Sequence, residues 1–179
     1  MLRVCCNFVR IFNGPWKGFG LFSPGMWSLG DRKKYCDPSG SVLTTNLMKP
    51  LTRQWLTQAD YDLATAKAMF KTKRYVYVAF MCQQATEKLI KGIIQERTGT
   101  TPPFSHNLPM LLKVANVFGD ADRLDLLDLL TGYYINARYP EDKQKMAQEL
   151  NKETLEAILK RTKECLRWLR KELEISVKS

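Results

Sequence analysis

The chain has 179 residues, is 45% hydrophobic and carries 28 Lys and Arg against 18 Asp and Glu, a formal charge of +10. Such a length can bury one good core and argues against two full domains, so one domain with an appendage is expected. No apolar run approaches the roughly 20 residues that cross a bilayer, and the basic balance favours an anionic partner, nucleic acid or nucleotide ahead of a membrane.

Half of the basic excess lies near the start: residues 1–50 hold seven basic and two acidic side chains. Residues 1–47 are rich in Gly and Pro, with scattered aromatics (Phe8, Trp16, Phe19, Trp27) and no sustained periodicity, so an irregular N-terminal extension is expected there. The first residues are interrupted by Arg10, Asn13, Gly14, Pro15 and Lys17, which leaves no unbroken signal-peptide core. A strong helical pattern follows Met48 almost at once. The natural start is therefore expected at Met48, with the preceding residues an over-extended reading frame and 48–179 the folded domain; an intact mass from the native gene that matched the full chain would contradict this.

From Leu51 the pattern is helical. Trp55, Ala59, Leu63, Ala66 and Phe70 recur every three or four residues and predict a helix over 52–72. A second helix over 75–97 puts Val78, Ala79, Cys82, Ala85, Thr86, Leu89 and Ile93 on one side, and Glu87 with Lys91, one turn apart, reads as a favourable pair on an exposed edge. Gly99 stops that helix, and Pro102 and Pro103 hold the connection open. A short helix is expected over 109–118, capped by Asn107 or Ser105, with Pro109 in its first turn. Asp120 can cap a fourth helix through Leu124, Leu127 and Leu130 to about residue 134. The run YYINARYPED then turns the chain, because proline disfavours helix in the residue before it. A last helix over 152–173 carries Leu155, Ile158, Leu159, Thr162, Cys165, Leu166, Leu169 and Leu173 on one stripe. The fold class is all-α: an antiparallel bundle of about five helices, a four-helix up-and-down bundle plus a short helix.

Arg138, where the chain leaves the fourth helix, offers a permanently charged planar fork suited to phosphate or carboxylate. The bland alternative is a helix-terminal arginine paired with Glu141, Asp142 or the last helix carbonyls. His106 alone titrates near neutrality without perturbation, and its plain reading is a half-buried histidine joining a loop to the bundle. Adjacent Ser105 and His106 do not make a nucleophile and base. No glycine cluster precedes a helix, which removes a P-loop. Lys88, Lys91 and Arg97 form a basic edge that at this spacing is usually a solvated face. Tyr133, Tyr134 and Tyr139 could stack a base, though core or subunit packing is the commoner role. One histidine, and cysteines (Cys5, Cys6, Cys36, Cys82, Cys165) without CxxC spacing, argue against a metal site. Cys82 and Cys165 read as small core residues in a reducing cytosol, which makes the expected location cytoplasmic.

Four segments, WLTQADYDLATAKAMF, QQATEKLIKGII, SHNLPMLL and YYINARYPED, in this order and spacing, resemble the HEPN domain family over roughly residues 51–174. The resemblance implies a helical bundle that usually dimerises, often beside a small nucleotidyltransferase in one operon, as a toxin–antitoxin or two-component pair that binds or acts on RNA or nucleotides. No cofactor is expected. The RNase branch carries an arginine followed four to six residues later by histidine, in a cleft shared by the dimer. Arg138 matches the arginine, but Asp142 to Gln144 contain no histidine, and His106 lies in a separate segment. The leading expectation is thus a non-catalytic or weakly catalytic nucleotide- or RNA-binding protein working with a nucleotidyltransferase, with Arg138 on phosphate, Tyr139 positioning or stacking, and His106, Lys88 and Lys91 lining the cleft. Second stands an RNase toxin using Arg138 and His106, and third a purely structural dimerising module.

Overall fold

The computed structural model describes residues 48–178; the irregular extension expected over 1–47 lies outside them, as do Cys5, Cys6 and Cys36. Six helices follow one another: α1 (Pro50–Lys71), α2 (Tyr75–Thr98), α3 (Leu108–Val114), α4 (Ala121–Asn136), α5 (Pro140–Glu149) and α6 (Lys152–Lys178). The all-α expectation holds, with α1, α2, α4 and α6 as the four long members.

Local chemistry explains where the helices start and stop. The Asn107 side chain accepts from the Met110 amide at 2.8 Å and so caps α3, the Ser105 hydroxyl accepts from Asn107 itself, and Asp120 accepts from the Arg123 amide at 3.0 Å to cap α4. Asn151 accepts from the Thr154 amide at the head of α6. Gly99 ends α2 with φ +69°, a left-handed conformation that glycine takes without a Cβ clash.

α1 and α2 form an antiparallel hairpin. At one end the Lys49 amide donates to the Glu96 carboxylate at 3.1 Å, and at the other Phe70 packs on Tyr75. α2 and α6 run parallel, their C-terminal ends joined by Arg97, which donates to Ser176 and pairs with Glu172. α4 opposes α2, since Tyr134 near its end stacks on Phe80 near the start of α2. The long helices therefore alternate in direction, up and down. α2 lies at the centre, with 16 of its 24 residues buried, and Leu89, Ile90, Ile93, Leu111, Leu127, Leu130, Leu155 and Leu169 fill the core around it. Among the described residues no helix is long and apolar enough to cross a membrane.

Two expectations need correction. The turn after Arg138 opens a further helix, α5, so six helices stand where about five were expected. Pro140 occupies its first turn with Glu141 and Asp142, which suit the positive end of the helix dipole, but only Met146 is buried. After Pro140 its only apolar side chains are Met146 and Ala147, too few to read as a core-facing stripe. The Glu87–Lys91 pair is also not on an exposed edge. Both residues are buried, because α1, α3, α4, α5 and α6 all pack on α2 and leave it almost no solvent face.

Candidate functional site

The site begins with the carboxylate of Glu87. Its Oε1 accepts from Lys91 Nζ at 2.8 Å, and its Oε2 accepts from Gln83 Nε2 at 2.9 Å and lies 2.9 Å from His106 Nδ1. These partners recur at four-residue spacing, because residues 83, 87 and 91 lie along one row of α2. Burial alone would raise the Glu87 carboxyl, but the hydrogen bonds from Lys91, Gln83 and His106 and the charge of Lys88 outweigh it and hold the group below its ordinary value. Lys91 also lies over the Trp55 ring at 5.9 Å. Its ammonium is thus buried between an acid and an aromatic of α1.

Gln83 extends the arrangement by donating to the His106 carbonyl at 3.2 Å, which ties the loop before α3 to α2 from both ends of one residue. Gln84 donates to Gln83 at 2.7 Å and accepts from Lys88 Nζ at 2.9 Å. Lys88, half-buried, faces Asp62 of α1. That carboxyl is raised, chiefly by burial and further by Glu87, with Lys88 opposing.

From this buried base the imidazole of His106 reaches outward, 46% exposed, with its ring centroid 4.6 Å from that of Tyr134. Tyr134 is buried and stacks on Phe80 at 5.4 Å. The Arg138 guanidinium lies over the same Tyr134 ring at 4.0 Å. Tyr134 thus touches both His106 and Arg138, two residues that the sequence places 32 positions apart. Tyr139, one residue on, is 58% exposed. Lys143 of α5 donates to the Tyr77 hydroxyl at 2.9 Å and lies over that ring, fixing α5 against the head of α2.

Of the candidate residues, Arg138 and His106 meet at the Tyr134 ring and Tyr139 is exposed, whereas Lys91 is buried on Glu87 and Lys88 is held by Gln84. Among the described residues no carboxylate pairs with Arg138 and its side chain makes no hydrogen bond, which disfavours the plain helix-end reading. Glu87, Gln83 and Tyr134 were not singled out as site residues from sequence. The signal for Glu87 was its four-residue spacing from Lys91, read there as surface chemistry.

A family model described as HEPN domain matches residues 52–173. Among solved structures, TT1696 from Thermus thermophilus superposes with a TM-score of 0.60 at 24% identity, over 69% of this chain and 99% of that one. At that identity the likeness concerns the fold alone. No curated protein sequence matches.

Proposed function

The chain belongs to the HEPN domain family, and from that premise we propose that it binds a nucleotide or RNA through phosphate, acting as a homodimer beside a small nucleotidyltransferase partner in the manner of a toxin–antitoxin pair. The observation that carries this reading is the Arg138 guanidinium, held over Tyr134 at 4.0 Å with its donors uncommitted among the described residues. A planar fork fixed in place by an aromatic face, and not neutralised by a neighbouring acid, suits a phosphate. Tyr139 offers an exposed ring for stacking, His106 contributes a polar edge to the same patch, and Lys88 and Lys91 act from beneath by holding Gln84 and Glu87. The test is equilibrium binding of a short single-stranded RNA to the full chain and to Arg138→Ala. Affinity is expected to fall roughly ten- to a hundredfold with the fold intact by circular dichroism; an unchanged affinity would refute the reading.

A second reading, RNA cleavage with Arg138 stabilising phosphate charge and His106 as acid or base, is favoured by one observation, that both side chains contact Tyr134. It requires growth arrest on expression that disappears in both Arg138→Ala and His106→Ala.

A further inference from the structure

The chain has a single histidine, and a buried carboxylate grips it by one specific nitrogen. The Glu87 side chain is 2% exposed, with Oε2 2.9 Å from His106 Nδ1. Oε1 is occupied by Lys91, and Oε2 also accepts from Gln83. An ionised carboxylate can only accept hydrogen bonds. The hydrogen between Glu87 and Nδ1 therefore sits on the imidazole, and in the neutral ring this leaves Nε2 as a lone-pair acceptor on the opposite edge. Gln83 holds the backbone of the same residue through its carbonyl, and the Tyr134 ring packs against the imidazole, so both contacts favour the orientation that turns Nδ1 inward.

We propose that Glu87 is a positioning residue that fixes His106 as the Nδ1–H tautomer, so that Nε2 accepts a hydrogen bond from a ribose hydroxyl of the bound nucleotide. This rests on the reading that the Arg138–Tyr134–His106 patch takes a phosphate ligand, and it narrows that ligand to one with a hydroxyl beside its phosphate, as the 2′-hydroxyl of an RNA strand provides. The ionised state of Glu87 needed here agrees with the hydrogen bonds that hold its carboxyl below the ordinary range. Lys91 takes part through Glu87, since its ammonium fixes the carboxylate from the far side at 2.8 Å.

Because there is one histidine, imidazole nitrogen NMR of the full-length protein, free of ligand and well above the ring's measured midpoint, reads the tautomer with no assignment problem. The Nδ1–H form is expected. The Nε2–H form, which free imidazole side chains prefer, would overturn the proposal. In Glu87→Gln the amide can donate or accept, so the lock should open and Nε2–H should appear. A ring that stays wholly Nδ1–H in a folded Glu87→Gln would also overturn it, and should that variant not fold, the wild-type measurement decides alone. The acceptor role is read by comparing an RNA strand with its 2′-deoxy counterpart of the same bases, where roughly three- to tenfold weaker binding of the deoxy strand is expected. Equal affinity would contradict the acceptor role. Failure of the phosphate reading itself would show separately, as RNA binding that does not depend on Arg138.

Discussion

Arg138 lies over Tyr134 with its guanidinium carbon 4.0 Å from the ring centroid, and against neither acid of the helix that begins two residues later. The backbone explains this. Arg138 and Tyr139 form the turn between α4 and α5, where the Arg138 amide bonds back to Ile135 and the Tyr139 amide to Asn136. The arginine thus departs from the end of α4, one turn beyond Tyr134, while Glu141 and Asp142 begin a new helix.

Replacing Arg138 by lysine keeps the charge but loses the planar fork and the stacking surface. Arg138→Lys is expected to bind RNA more weakly than the wild type and more tightly than Arg138→Ala. If phosphate contacts dominate, wild-type affinity falls as salt rises, and the logarithmic slope becomes shallower by about one in Arg138→Ala. Fluorescence anisotropy across a salt series measures both.

The Glu87 carboxyl is held below its ordinary value of 4.5 in the folded chain, so its ionised form stabilises the fold. That contribution is fully present above the ordinary value and is lost as pH falls through the lower folded value. Urea midpoints of the wild type should therefore drop on acidification below about pH 4.5, and those of Glu87→Gln should change less across that window. At neutral pH Glu87→Ala should lose about 3–5 kcal/mol, because it leaves the Lys91 ammonium buried without its counter-charge. A neutral-pH loss under about 1 kcal/mol would contradict the buried pairing.

Two helical glycines should respond in opposite senses. A Cβ on Gly92 would sit 3.3 Å from Trp55 Cβ and from Leu56 Cδ1, whereas at Gly132 it would meet nothing within 4 Å. Trp55 Cβ is attached to the α1 backbone and cannot swing aside, so Gly92→Ala must push α1 and α2 apart. Overpacking of about 1–3 kcal/mol then exceeds the helix-propensity gain of up to about 1 kcal/mol, and a net loss is expected. Gly132→Ala should gain about 0.5–1 kcal/mol. Thermal or urea unfolding of the two variants decides it.

Burial pushes the Cys82 thiol up to about 11 and the Cys165 thiol up to about 12. The reactive thiolate is then scarce at neutral pH. Both should resist iodoacetamide in the folded protein and react after denaturation, as peptide-resolved mass spectrometry would show. Rapid native labelling at either would contradict their packing.

Much of this architecture was legible in the sequence because the long helices carry apolar residues every three or four positions and their ends carry capping chemistry: Asn107, Asp120 and Gly99 all stand where their side chains or backbone freedom suggested. α5 was not legible, since a helix that buries only Met146 leaves no stripe to find. Arg138 and His106 were visible as candidates, but their shared contact with Tyr134 depends on how α4 crosses the loop before α3, which no local spacing encodes. Glu87 was misplaced for a related reason. A Glu–Lys pair four residues apart is usually solvated, and only the packing of five other helices around α2 makes it internal. Ile90 and Ile94, which flank the stripe read as the apolar face of α2 and widen it, were the available sign that more of this helix than one stripe is buried.

The most direct test follows two side chains during one titration. Full-length protein labelled with nitrogen-15 would be titrated with a short single-stranded RNA while the His106 ring nitrogens and the Arg138 Nε–H are observed by NMR. The proposed site predicts that both move together with a single dissociation constant matching the bulk binding curve. RNA that binds and leaves both signals where they were would place the ligand elsewhere and contradict the assignment of this patch.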